Sequence, residues 1–559
     1  MESAEMRQEK DSLGVVEVPA GAMYGAQTQR AVENYPISGM RASPFLIRAI
    51  GMVKKAAAEA NGELGVVSRE RAEAIARAAQ EVIEGKWDKE FVVDVFQAGA
   101  GVSFHMNANE VVANRANQLM AREQGAGNRE QGEDKGRGVG GGSTTTTEIL
   151  RVAQNDDAGG GGEEQVPGAK ARIDSARVMP GLKSRPISEA NDSTAFETAS
   201  STEGNPGEEA AVRESERGAL GRYEWVHPND HVNYGQSTND VFPTAMRLGT
   251  LLALEGLYPV LEGLAGSFAA KGVEFDGVVK AGRTHMQDAT PIRLGQEFAA
   301  YGVAIRKARK SIARAAEGLR ELGLGGSAVG TGINTHPEYR VLAIAKLAEI
   351  SGQRLTPAED MRWAMQSCGP MAEVSAALRG LALEVIRIAN DLRLMASGPN
   401  TGFNEIALPS LQPGSSIMPG KINPVLAELA AMVGFQVVGN DAAVAMAVQA
   451  GQLELNVMMP AMAYNVLQSV TILTNTIREL DARCVRGITA NAARCEWYAQ
   501  STVALATALN PYIGYAKAAE LVKESVASGR SVIEVAREKG VLSEEQIREI
   551  LDVGKMTGV

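Results

Sequence analysis

The sequence predicts an all-α subunit organised around a long central five-helix bundle. Apolar residues recur at helical spacing over segments of about 25 to 35 residues, and strand-like alternation is scarce. Polar stretches rich in glycine and proline fall between these segments, where they set the bundle apart from its surroundings.

In chain order the helical segments are 241–272, 292–321, 361–397, 425–450 and 455–485. Each exceeds the ordinary globular helix of about 11 to 12 residues, which points to an elongated bundle. Several are apolar on more than one face, LLALEGLYPVLEGLAG for example, so a lone bundle exposes apolar surface and self-association is expected. Residues 121–224 differ from everything around them. They hold 18 of the 60 glycines but only Phe196 and Tyr223 as aromatics, too little apolar area to offset ordering entropy, so a disordered or loosely ordered insertion is expected.

At 559 residues the chain exceeds a single typical core, and two or three domains are expected. A net charge of -11 argues against general binding to nucleic acid or anionic membranes, yet leaves room for a local basic pocket that takes a small anion. Three cysteines without a CxxC pair suit free thiols in a reducing compartment. The N-terminus has no apolar signal region and no run of about 18 uncharged apolar residues is evident, so a soluble, cytoplasmic protein is expected. The five histidines lack metal-ligand spacing; His227 and His231 stand four apart, but Pro228 intervenes. Neither metal nor cofactor is expected.

Four polar stretches are candidate sites: AGAGVSFHMNANE (98–110), HPNDHVNYGQSTND (227–240), GRTHMQDATP (282–291) and GSSIMPGKINP (414–424). Gly414, Pro419, Gly420 and Pro424 make the last an irregular loop that gathers Ser415, Ser416, Lys421 and Asn423. A serine oxyanion held by backbone amides and a cation can act as a base, and can equally act as a nucleophile. Removing a carbon-bound proton beside a carboxylate creates a dianionic enediolate, which needs the donors and cation that Asn423 and Lys421 supply. His285 is either a titrating site residue or a hydrogen-bonded loop histidine. Ser237, Thr238 and Asn239 can cap the helix that follows them, and a helix N-terminus also attracts carboxylates.

Taken together, these stretches resemble the fumarase/aspartase superfamily of helical lyases, whose GSSxMPxKxNP signature is matched by GSSIMPGKINP. The likeness extends through YGAQTQRAVENYPISG, MNANEVVANRA, HPNDHVN, QSTND, GTGINTHPEY and GQLELNV, and covers the chain outside 121–224. It implies three domains: a helical domain over 1–234 that holds the insertion, a bundle over 235–490, and a small helical domain over 491–559. It further implies a homotetramer with a twenty-helix core, in which each site takes loops from three subunits, and a small C4 dicarboxylate substrate.

The resemblance also implies the roles. Ser415 matches the catalytic base; Lys421, Asn423 and Ser416 match carboxylate binders; Thr284 and His285 match a second loop, with Glu428 the carboxylate paired to that histidine. Ser237, Thr238 and Asn239 match further substrate contacts, as do Ala100, Gly101, Val102 and Ser103, while His227, Pro228, Asn229 and Asp230 match a second carboxylate site. Ala100 and Val102 depart from the pattern, since fumarases commonly carry Ser and Thr there. Ser103 or His105 is the candidate to replace the missing hydroxyl. Among activities, the segments AGAGVS, HPNDHVN and QAGQLELNVMMP lean towards aspartate ammonia-lyase, MPGK and NTHPEY towards class II fumarate hydratase; an inactive helical scaffold is the reading from another class.

Overall fold

A computed structural model describes residues 5–136 and 218–558, with side chains described to residue 124 in the first stretch. Two compact units are distinguished, one of residues 1–123 and 214–559, the other of 124–213, of which only the helical backbone to Gly136 is described. Residues 137–217 of the expected insertion lie outside the described residues, whereas 218–224 are ordered within the larger unit, with Leu220 buried and the Gly221 amide donating to Asn114. The first residues of the insertion, 121–136, continue a helix, which moves the expected boundary.

The larger unit opens with a β-hairpin, β1 (Met6–Asp11) and β2 (Gly14–Pro19). Two helices that supply the floor of the candidate site follow, α1 (Pro44–Glu63) and α2 (Val102–Gly136). The bundle comprises α3 (Thr238–Glu274), α4 (Leu294–Ala316), α5 (Gly369–Met395), α6 (Val425–Gln449) and α7 (Met459–Arg483). They close a ring: α3 packs on α4 and α7, α5 on α4 and α6, and α6 on α7. One expected helix is two, because 361–397 breaks at Ser367 and Cys368 between Met361–Gln366 and α5, where Pro370 occupies the first turn.

Strands are scarce but sit where they matter. The stretch 282–291, expected as a loop, is the end of a hairpin formed by β3 (Val279–Thr284) and β4 (Gln287–Arg293). The sequence hides it because the ladder is bulged between Ala281 and Arg283 and its alternation is lost. Gly282 fits the bulge because a Cβ there would stand 2.5 Å from the Thr290 carbonyl oxygen.

One apolar core runs from α1 and α2 through the bundle, and a separate one gathers Leu505, Leu509, Leu521, Val535 and Ile547. By length and composition α3 and α6 are apolar enough to cross a bilayer, although charged residues interrupt both before an uncharged run of 18 is reached. Most of α3 is buried in the core, and α6 buries Asp441 against Ser375 and Arg379. The inner face of α6 is small, with Ala427, Ala430, Ala431 and Gly434, whereas its large residues Leu429, Met432, Phe435 and Met446 face outward. Gly434 has no room for a side chain, since its Cβ would meet Ile386 at 2.5 Å.

Candidate active site

The candidate residues occupy two ends of the bundle. α3 holds 37 residues and spans about 55 Å from Thr238 to the residues that lead into the β3–β4 hairpin. α6 spans about 37 Å between the 414–424 loop and the segment beside residue 450.

At the first end Ser237 is the N-cap of α3. Its Oγ accepts from the Asn239 amide, and its own amide donates to Asp240, the reciprocal pattern of a capping box. Asp240 also accepts from the amides of Gly325 and Ser327, each at 3.0 Å, and Asn239 donates to the Ala328 carbonyl, so the 325–330 loop is tied to this helix start. Burial pushes the Asp240 carboxyl up to about 6 against those amides.

The loop 98–103 is wedged beside them. Ala100 has φ 60° and donates its amide to the Val457 carbonyl at 2.7 Å, so with its side chain buried it offers a ligand neither group. Gly101 has φ 81°, and a Cβ on it would lie 2.1 Å from the Phe242 ring. Val102 is exposed at the start of α2. Ser103 and His105 are buried, so neither reaches the surface to replace the missing hydroxyl.

Beside this cluster opens a cleft of about 810 Å³ lined by Asn229, Asp230, Asn233, Gln236, Ser327 and His336 among others. Pro228–Val232 forms one wide helical turn, where His227 Nδ1 lies 3.2 Å from Asp230 and His231 Nδ1 accepts the His227 amide. Pro228 is buried and only supports the turn, while Asn229 and Asp230 are exposed. Ser327 and His336 were not singled out from the sequence; both lie on a loop whose partners are remote in the chain.

At the second end Ser415 Oγ accepts the amides of Ile417 at 3.2 Å and Met418 at 2.9 Å. The loop is closed at its base: the Gly414 amide donates to the Lys421 carbonyl at 2.8 Å, and Asn423 Nδ2 donates to the Gly414 carbonyl at 2.9 Å. That second bond uses one of the two Asn423 amide hydrogens and leaves the other for a ligand. Ser416 and Lys421 are exposed, and Ile417 is 83% exposed. Glu428 lies in the first turn of α6.

Thr284 and His285 sit at the hairpin tip. His285 and Met286 have φ 55° and 61°, a two-residue turn with both residues left-handed. The base is rigid. Buried Glu405 pairs with Lys280 at 2.9 Å and Arg283 at 2.8 Å, Lys280 also meets Glu297, and the Arg283 guanidinium stacks on Phe403 and Tyr498. Among the described residues no ion pair joins Glu428 to His285 within the chain, although both stand at this end. Nor can one chain bring Thr238 to His285, because α3 holds them apart.

A lyase family profile matches residues 14–131 and 188–439, and a profile described as the fumarase C C-terminus matches 505–558. The chain belongs to the fumarase/aspartase family. The match extends further into 121–224 at both edges than the sequence motifs reach. Aspartate ammonia-lyase of a Bacillus species is 40% identical over 99% of this chain and 98% of its own. Fumarate hydratase class II of Halobacterium salinarum is 44% identical, over 99% and 98%. The crystal structure of a Brucella melitensis fumarate lyase:delta crystallin bound to cobalt shares 39% identity and a TM-score of 0.79, over 99% of this chain and 100% of that one. The fumarase/aspartase fold thus accounts for both the five-helix ring and the loops at its ends.

Proposed function

We propose that the chain is an aspartate ammonia-lyase, which converts L-aspartate to fumarate and ammonia. The observation that carries this reading is the pair of backbone amides on Ser415 Oγ, set within GSSIMPGKINP, because two donors aimed at one hydroxyl oxygen stabilise its deprotonated form. Ser415 as alkoxide takes the proton from the carbon beside the side-chain carboxylate. The electron pair left behind passes into that carboxylate as an enediolate, which Lys421, Ser416 and Asn423 stabilise. Collapse of the enediolate forms the carbon–carbon double bond while the carbon–nitrogen bond breaks, and ammonia leaves with its electron pair. The ammonium already carries its protons, so departure as neutral ammonia needs no acid. Ser415 returns its proton to solvent before the next turnover.

Thr238, Asn239 and Ser237 bind the second carboxylate at the start of α3, where the helix dipole favours an anion. Thr284 and His285 close the site from the hairpin, with Glu428 oriented to the histidine; His227 to Asp230 hold a further carboxylate in the neighbouring cleft. Val102 withholds a donor from the substrate and narrows the set of ligands. Because these groups lie about 55 Å apart along α3, a complete site draws on more than one copy of the chain. The outward apolar face of α6 supports a homotetramer with shared sites. Phe435→Arg, which sets a charge in that contact, is expected to dissociate the assembly and abolish turnover together, read by analytical ultracentrifugation and assay.

Class II fumarate hydratase is the second reading, favoured by the 44% identity to the Halobacterium enzyme. Purified protein given L-aspartate and L-malate side by side, with fumarate followed by absorbance, separates them. Fumarate from malate alone assigns the hydratase, and activity on neither assigns a scaffold.

A further inference from the structure

Beneath Thr238 lies a buried polar group that the reaction as drawn does not use. Lys54, on α1, is fully buried. Its Nζ stands 2.7 Å from His105 Nε2, 2.8 Å from Gln236 Oε1 and 3.2 Å from Asn233 Oδ1. The two amides cannot be turned round, because their NH2 ends are taken: Gln236 Nε2 donates to the Val232 carbonyl at 3.0 Å and Asn233 Nδ2 to that of Gln236 at 3.3 Å. Both oxygens therefore face Lys54. The two amide oxygens take two hydrogens from Nζ, and an ammonium supplies a third for His105 Nε2. Burial pushes the Lys54 pKa well below the usual lysine value, and the nearby Asp240 carboxylate opposes that.

The consequence passes along the histidine. With Nε2 accepting from Lys54, a neutral His105 carries its proton on Nδ1, and burial together with the adjacent ammonium keeps the ring neutral. Nδ1 lies 2.6 Å from Thr238 Oγ1. The imidazole must donate there, so the threonine oxygen accepts, and its own proton is left pointing elsewhere. Among the described residues that hydroxyl has no other hydrogen-bond partner, and Thr238 is half-buried at the first turn of α3.

We propose that Lys54 and His105 are positioning residues that fix the Thr238 hydroxyl as a hydrogen-bond donor to a substrate carboxylate, through the one-way chain Lys54 to His105 to Thr238. Without the chain a threonine hydroxyl can equally present its lone pairs, which repel an anion. With it, the buried ammonium reaches the carboxylate through three hydrogen bonds in series without touching the ligand. The proposal rests on the diacid-lyase reading for its ligand, but the direction of the chain stands on its own geometry.

The test has two arms on the assembled full-length protein. In the first, solid-state 15N NMR of protein labelled at its five histidines identifies His105 by the signal lost in His105→Gln. A neutral Nδ1–H imidazole at pH 7 is expected, changing its tautomer in Lys54→Met; an Nε2–H ring or an imidazolium in the unsubstituted protein overturns the proposal. In the second, calorimetry with succinate, a four-carbon diacid with no leaving group, measures carboxylate recognition. His105→Leu is expected to weaken binding about tenfold, the scale of one hydrogen bond to a charged group. His105→Gln, which can accept from Lys54 and donate to Thr238, recovers most of that. Thr238→Val and His105→Leu combined should lose no more than either alone; full multiplication of the two losses, or unchanged affinity in His105→Leu, overturns it. Failure of succinate to bind the unsubstituted protein counts against the diacid reading, and the tautomer then decides the chain by itself.

Discussion

The two ends of the bundle are built on opposite plans. At the start of α3 every group is tied within the chain: Asp240 takes three backbone amides, Thr238 is bonded to His105, and His105 to Lys54. At the start of α6 the 414–424 loop is closed only at its base, and beyond it Ser415 meets two amides of its own loop, while Ile417 stands in solvent. One end is organised before any ligand arrives. The other presents chemistry that ligand or a neighbouring copy must complete. On the proposed reading, the difference divides binding from proton removal, with recognition on the tied floor and the base on the loosely held loop.

Changes at the two ends should therefore separate activity from stability. Ser415→Ala should cut kcat about a thousandfold, in the range of a lost general base, while the unfolding midpoint and the assembly stay as they were. A lowered midpoint would mean that the loop is structural and erase the contrast. Glu405→Ala probes how far the looseness of the second end extends. It leaves Lys280 and Arg283 buried without their carboxylate and should cost about 3 kcal/mol in denaturant unfolding; an effect under about 0.5 kcal/mol would show that the hairpin base is as free as its tip.

At the tied end, Asp240 carries a pH signature. Burial raises its carboxyl from an ordinary 3.8 to about 6, so between those pH values the folded state binds more protons than the unfolded state. The sign follows: stability from this group falls as pH rises from about 4 to about 6, by about 3 kcal/mol in all, and is level above. Asp240→Asn should remove that slope, measured as the difference in unfolding free energy between the two proteins across pH 4 to 7. Parallel curves would refute the assignment. The smallest effect is expected of Ile417→Ser, within about 0.5 kcal/mol, since the side chain is exposed.

What could be read from the sequence follows the same division. The five helices came from their apolar periodicity, and GSSIMPGKINP was legible because its residues act as neighbours in the chain. The supports were not. Lys54 lies 51 residues from His105, His105 lies 133 from Thr238, and Arg283 lies 122 from Glu405, so no local pattern connects them. A lysine within GMVKKAAAEA reads as one more charge on a helix, and only packing reveals that it faces inward. The β3–β4 hairpin escaped for a related reason, because a bulge and a polar tip erase its alternation.

The length of α3 reaches beyond chemistry into heredity. If Thr238 and Ser415 serve the same ligand only across copies, a polypeptide defective at one position is not a lost cause. Co-expressed with a second allele broken at the other, it can assemble into mixed particles in which some sites inherit a sound half from each parent.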